Sequence, residues 1–423
     1  MGISSAFYSG VSGLNANSQA MTVVGNNLAN TNTVGFKGSR HVFADLLSGT
    51  INGSGGSSQV GRGVGVSTMD NIFSQGTFES TESNLDVAIE GDGFFILKGS
   101  DDDTSYYSRA GAFRFDGEGY LTNPEGLRVQ GKLYGADGEL VAGDAADIQI
   151  EDTGLIAGAA TTELALTTNL DSAADILPLA GFLIDDADTY TYSSSTQVFD
   201  SLGNSHLLST YFIKTGDNTW SSAWSAEDVD GNILEGQFAD NLVFNENGIL
   251  AGDAADPPVD TTIDILAGEL DWGNNTEPTA ITMTFNTTQY NSDSVVLSQD
   301  QNGYAAGSLT GVEIDGEGNV VAFYDNGEST DIAQLVLGKF VNPNGLTLVG
   351  NNLYTETGES GAVRIGLPGA ELGSIYTNSL EQSNVDMGVE FVRMITLQRG
   401  FQANSKIITT VDELLGELIN LKR

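Results

Sequence analysis

The chain has 423 residues, 40% of them hydrophobic, and a formal net charge of -41. That length supports two or three cores, since single cores rarely grow past about 250 to 300 residues, and a surface so acidic repels phosphate backbones and anionic headgroups, which excludes nucleic acid and membrane partners. There is no cysteine, so disulfides, thiolate metal sites and a Cys nucleophile are excluded as well.

The N-terminal stretch MGISSAFYSGVSGLNANSQA has no basic n-region and no continuous apolar h-region, so it does not read as a cleaved secretory signal. Nor does any stretch approach the 18 apolar residues of a spanning helix. Instead Phe7, Leu14, Met21 and Leu28 fall at seven-residue intervals, with Val11 and Val24 on or beside the same stripe. This is the spacing of a narrow coiled-coil seam. The helix should stop at NNLANTNTVGFKGSR, residues 26–40, because asparagines cap helix ends and accept left-handed geometry.

The middle of the chain reads as β. NLDVAIEG alternates Leu85, Val87 and Ile89, and GAFRFDGEGYLTN sets Phe113 and Phe115 before a tight turn. The same hairpin grammar recurs in VDGNI, NENGIL and VEIDGEGNVVAFYDNG. Residues 148–301 are more acidic, and between Lys132 and Lys339 the only Lys or Arg is Lys214. They are expected to form a separate β domain inserted into the first.

The C-terminal stripe is cleaner. Met394, Leu397, Phe401, Asn404, Ile408, Val411, Leu415 and Leu418 alternate steps of three and four, with only Asn404 breaking the apolar run. This helix is expected to begin at QSNVD, capped by Ser383 or Asn384 with Asp386 in its first turn. Both stripes lie at chain ends and neither adjoins another helical region, so the ends are expected to pair with each other or with other copies.

Catalytic chemistry is hard to assemble. His41 and His206 lie in different regions, there is no nucleophile elbow, and VGRGVGV lacks the third spaced glycine and following helix of a dinucleotide fold. DVDGN at 228–232 and DGEGN at 315–319 hint at calcium loops without reproducing an EF-hand. No enzyme activity, cofactor, catalytic residue or dedicated metal is expected.

VSGLNANSQAMTVVGNNLANTNTVGFKGSRHVFADLL resembles the N-terminal signature of the flagellar rod and hook protein family, and LEQSNVDMGVEFVRMITLQRGFQANSKIITTVDELL is similar to its C-terminal signature. The resemblance implies that Asn26, Asn27, Ala29, Asn30, Gly35, Phe36 and Lys37 form the joint where the terminal helix turns into a linker. It implies a layered, mainly β fold with paired terminal α-helices: a helical core domain (1–30 and 383–423), a linker layer (31–76 and 350–382), an inner β domain (77–147 and 302–349) and an outer acidic β domain (148–301). Phe7 with Val11 matches the family's Phe-x-x-x-apolar export pattern.

The length, the insertion and the segment QNGYAAGSLTGVEIDGEGNVVAFYDNG resemble the hook members. The expected function is therefore a self-assembling subunit of the flagellar hook, a flexible curved tube that transmits torque from rod to filament. Expected partners are further copies of the chain, the distal rod, hook cap and hook–filament junction proteins, and the flagellar type III export apparatus, with an extracellular location at the flagellum. A distal rod subunit and a secreted calcium-dependent β-rich adhesin are the alternatives.

Overall fold

In the computed structural model the described residues are all but 1, 48, 54–55, 101–103, 136–137, 151–153, 239–240, 251–260, 370 and 421–423. The fold is mainly β, with one long helix at each end: α1 (Gly2–Ala29) and α2 (Met387–Asn420). None of the described helices is long and apolar enough to cross a membrane. The chain divides into two compact units. One comprises Met1–Asp152, Val312–Ala322 and Thr330–Arg423, and the other Thr153–Gly311 and Phe323–Ser329.

In the first unit, Phe94–Lys98 lies between Ser105–Ser108 and Arg128–Leu133, all antiparallel. Val87, Ala88 and Ile89 are all buried, so the centre of NLDVAIEG is covered on both faces rather than alternating. The main core gathers Val87, Ile89, Phe95, Leu97, Leu121, Ile148 and Leu335. A second cluster packs Phe94, Tyr107, Phe340 and Tyr354, with the Tyr107 and Phe340 rings edge to face at 4.7 Å.

Stretches expected as extended linker form regular sheet. Ser39–Asp45 pairs with Val64–Asn71, a strand that takes in the last three residues of VGRGVGV. Leu353–Thr355 pairs with Ser105–Ser108, Ser374–Thr377 with Val87–Glu90, and Ser379–Glu381 with Phe78–Ser80. Backbone donors and acceptors must be paired somewhere. Ser39–Asp45 and Val64–Asn71 meet that demand with each other, and the three C-terminal segments meet it by pairing with strands of the 77–147 region.

The second unit stacks two sheets around Phe212, Trp220, Trp224, Trp272 and Phe285. Glu163–Asp171 runs parallel to Thr279–Tyr290 in one sheet, and Ser205–Gly216 is antiparallel to Thr219–Glu227 in the other. Trp220 donates to Gln289 Oε1 at 2.8 Å and Trp272 to Thr279 Oγ1 at 2.9 Å, so these two buried indoles are satisfied. Residues 220–226 are buried throughout. Leu177, Leu179, Phe182, Ile184 and Tyr190 cover the outer face of that sheet against Tyr211, Ile213 and Ala223. Lys214 pins the strap at its root by donating to the carbonyls of Ser172 (2.6 Å) and Ala174 (2.8 Å).

The acidic turns share one design. At 116–120, 200–204, 228–232, 245–249 and 315–319 the first side chain accepts backbone N–H bonds from the third and fifth residues. The fourth residue is a glycine with φ between 74° and 85°. These are Asx-type hairpin turns. In the stretches that hinted at calcium, the leading Asp carboxylates serve the turns' own backbone.

Asp200 shows the design at full burial. Burial opposes its charge, yet hydrogen bonds from the Asn204 side chain and backbone, His206 and Asn274 outweigh that and hold it at about 2, below the ordinary 3.8. A depressed carboxyl stabilises above its unfolded value and loses that contribution as pH falls toward the folded value. We expect the second unit to lose about 2 kcal/mol between pH 3.8 and about 2 from this group. An Asp200→Asn variant should lack that component in acid denaturation followed by tryptophan fluorescence. An acid profile unchanged by the substitution would refute the assignment.

Candidate assembly site

The site is built from the two chain ends. The first charged residue of the chain is Lys37, so α1 carries no charged side chain and its contacts rest on shape and hydrogen bonding. The helices run antiparallel: a Cβ on Gly10 would lie 3.2 Å from Ile408 Cγ1, one on Gly13 would lie 2.7 Å from the Asn404 amide, and one on Gly400 would lie 2.9 Å from Asn17. Farther along, Ala20, Val24 and Leu397 form an apolar cluster with Met21, Leu28 and Met394 packed on it.

The buried residues of α1 are therefore Gly10, Gly13, Ala16, Ala20, Val23, Val24 and Asn27. Within the single chain the seven-residue stripe is not the line of closest contact. Of that stripe Val24 is buried, Leu14, Met21 and Leu28 are half-buried, and Phe7 and Val11 are 37% and 40% exposed. The reason is steric: small residues let helix axes approach, and that approach turns the bulky side chains outward. On α2, Leu397 and Val411 are buried, Met394, Phe401 and Ile408 half-buried, and Leu415 exposed. The Leu418 side chain falls outside the described residues. Phe391, Val392, Ile395, Ile407 and Leu414 add further exposed apolar surface that the stripe did not include.

The joint lies where α1 ends. Asn26 O accepts from the Asn30 backbone N–H at 3.2 Å and from its side chain at 2.9 Å, and Thr33 Oγ1 donates to Asn30 Oδ1 at 3.1 Å. Asn27, only 2% exposed, accepts from Ser39 N–H at 3.0 Å and donates to Ser39 O at 2.8 Å, so its amide acts as a strand neighbour for Ser39. Ala29 faces solvent. Gly35 adopts φ 68° and its N–H donates to Glu381 O at 2.7 Å. A Cβ there would sit 2.6 Å from Ala110 N, so no side chain fits. Phe36 is buried beside it.

Lys37 is the centre. Its ammonium donates to Glu381 Oε1 at 2.6 Å and to Ser74 O at 2.9 Å, and both side chains of the ion pair are fully buried. Glu381 Oε1 also accepts from Gly76 N–H at 2.9 Å, and Arg109 lies 3.7 Å from Oε2 while donating to Gly91 O at 2.9 Å. Burial lowers the pKa of Lys37, with Glu381 acting against that shift, and burial likewise lowers Arg109.

Asn384 completes the joint. It accepts from Gly38 N–H at 2.8 Å and donates to Ile72 O at 2.7 Å. It therefore does not cap α2, and neither does Ser383. Asp386 does so, accepting from Val389 N–H at 3.0 Å.

Glu381, Arg109 and Asn384 were missed as site residues. Glu381 and Asn384 lie within the C-terminal signature, whereas nothing near Arg109 marks it. His41 packs edge to face on Phe43 at 4.5 Å, and burial, then the charge of Arg393, lowers its pKa against an opposing contribution from Glu390. His206 stacks on Trp272 at 4.0 Å and contacts Asp200 at 3.3 Å. Both histidines are held as packing elements.

Four family descriptions match in chain order: Flagella basal body rod protein over residues 7–37, Flagellar hook protein FlgE/F/G D1 domain over 88–158, Flagellar basal body protein FlaE D2 domain over 169–304, and Flagellar basal body rod FlgEFG protein C-terminal over 376–421. The chain is 36% identical to the flagellar hook protein FlgE of Escherichia coli, covering 99% of this chain and 100% of that one. It is 38% identical to the same-named protein of Borreliella burgdorferi, with 99% of each covered. Among solved structures, the hook protein FlgE2 of Helicobacter pylori matches 72% of this chain and all of its own at a TM-score of 0.53 and 15% identity, a likeness of fold.

Proposed function

The chain belongs to the flagellar hook protein family and is a structural subunit of the flagellar hook, not an enzyme, and from that premise we propose that the outward apolar rim of the α1–α2 pair is the contact between copies in the tube. The observation that carries this is the pairing itself: small residues face inward, while Phe7, Val11, Phe391, Val392, Ile395 and Leu415 face outward. Fully burying one such side chain contributes about 1.5 to 3 kcal/mol. Many copies stacked along a tube supply the burial that one chain lacks.

In this reading the chain works in layers. The terminal helices line the tube, the joint at 26–40 sets the angle at which they leave, and the β units face outward. The distal rod, hook cap and hook–filament junction proteins meet the ends of the tube through the same helical rim. The type III export apparatus takes up the unfolded chain, with Phe7 and Val11 in its leading segment as the export pattern. Hook flexibility follows from the division of labour, because packed helices hold the lengthwise contacts while wet, polar outer contacts exchange.

Removing residues 1–30 or 384–423 should leave a folded β chain that no longer polymerises, since the sheets have their own cores. Circular dichroism and electron microscopy test this together. Tubes from either truncation would overturn the proposal.

Salt gives a second test. Single-sign charge on the outer unit, whose only Lys or Arg is Lys214, should repel between neighbours at about 0.01 M salt, where the Debye length is about 30 Å, and much less at 0.1 M, where it is about 10 Å. Isolated hooks should stay polymerised while their curvature changes across such a series. Curvature that never varies with salt would refute an electrostatic outer layer.

A further inference from the structure

The two helices carry the same five-residue pattern at the place where they cross. Gly13-x-x-x-Asn17 lies on α1 and Gly400-x-x-x-Asn404 on α2. Each asparagine donates to the glycine carbonyl of its own helix, Asn17 to Gly13 O at 2.7 Å and Asn404 to Gly400 O at 3.0 Å. Each also fills the space that the opposite glycine leaves, so that a Cβ on Gly13 would lie 2.7 Å from Asn404 and one on Gly400 would lie 2.9 Å from Asn17. The arrangement is reciprocal and half-buried.

We infer that this Asn–Gly layer is the register lock of the helix pair, fixing which turn of α1 faces which turn of α2. The apolar seam cannot do so alone. Met394, Leu397, Phe401, Ile408, Val411 and Leu415 repeat in steps of three and four once Asn404 is counted between Phe401 and Ile408, and a shift of seven residues places most apolar positions on apolar ones again. The layer does not tolerate that shift. Sliding α2 by seven residues sets Asn404 against Ala20, whose Cβ occupies the needed space, and sets Asn17 against the isoleucines at 407 and 408. The sole polar position in the stripe thus acts as a register signal, as single buried asparagines do in other helix pairs. The inference rests on the helix pair carrying assembly, because a slipped pair would present a different outer rim to the next copy.

The absence of native cysteine allows a direct readout. In the full chain, Val24→Cys with Met394→Cys reports the native register, and Val24→Cys with Phe401→Cys reports a slip of seven. With both asparagines intact, oxidation should crosslink the first pair and leave the second open. In an Asn17→Ala/Asn404→Ala background the preference for the first pair should fall by about tenfold or more, a change on the scale of one lost buried contact. Moving the notch, by Gly13→Ala with Ala20→Gly, should shift crosslinking toward the second pair. Either variant changing the ratio in this direction supports the lock. Crosslinking confined to the first pair in both variants, or equal crosslinking of both pairs with the asparagines intact, overturns it. Tube formation is scored separately by microscopy, so a defect in assembly is distinguishable from a defect in register.

Discussion

Replacing Glu381 with Gln should destabilise the unit that contains the joint by about 3 to 5 kcal/mol, the range for breaking a buried pair from one side. The carboxylate is the ion-pair partner of Lys37 at 2.6 Å, lies 3.7 Å from Arg109, and accepts from Gly76 N–H at 2.9 Å. Without it two cations remain in a region that excludes water. Ser74 O still solvates Lys37 and Gly91 O still solvates Arg109, but neither supplies a charge.

Removing both ends of the pair with Lys37→Met/Glu381→Leu should cost less than the single change, because an apolar pair of similar volume avoids the desolvation. The pH dependence has a definite sign. Burial already holds Lys37 below 10.5, and without Glu381 the folded chain binds that proton more weakly still. The unfolded chain keeps it, so the stability of the single variant should rise with pH up to about 10.5. Equilibrium denaturation at two pH values measures both effects. A single variant as stable as the parent would mean that the pair is hydrated.

The joint also shows what was legible in the sequence. The Asn-rich stretch at 26–40 contains the end of α1 at Ala29, because side-chain hydrogen bonding at a helix end is local chemistry, but its left-handed residue is Gly35 and none of its asparagines. The partner of Lys37 lies 344 positions away, and no local rule connects them. Helix pairing was legible from the heptads, but its inner face was not. Periodicity identifies a stripe without saying whether large or small residues approach, and here Gly10, Gly13 and Ala20 approach. Asn404 stood out as the break in an apolar run; its meaning needed Gly13 on the other helix. The start of α2 was misjudged because Asn384 is a good cap by type, and the structure uses its amide to bridge Gly38 and Ile72 instead. The acidic turns were readable as hairpins. Their carboxylates suggested calcium only because a sequence does not show that backbone N–H groups already satisfy them.

Leu415→Asp should abolish hook assembly while leaving the isolated subunit unharmed. Leu415 is 41% exposed in the single chain and follows Leu414, 48% exposed, so an aspartate there is solvated in the free subunit and changes stability by no more than about 0.5 kcal/mol. In the tube the same position is proposed to be covered by a neighbouring copy. A carboxylate buried without a partner then costs several kcal/mol, and the penalty recurs at every subunit along the tube. Growth would stop at the first contacts. Secretion should continue, because the export proposed above engages the leading segment and leaves Leu415 untouched, and the variant should accumulate in the medium as folded monomer. Hooks should be missing from electron micrographs and swimming should be lost. Glu417→Gln, a polar exchange at an exposed position nearby, is the control and should swim normally. A motile Leu415→Asp strain with hooks of ordinary length would place this part of α2 against water in the tube, and the outer rim would then have to be assigned to the exposed residues nearer the joint, Phe391, Val392 and Ile395.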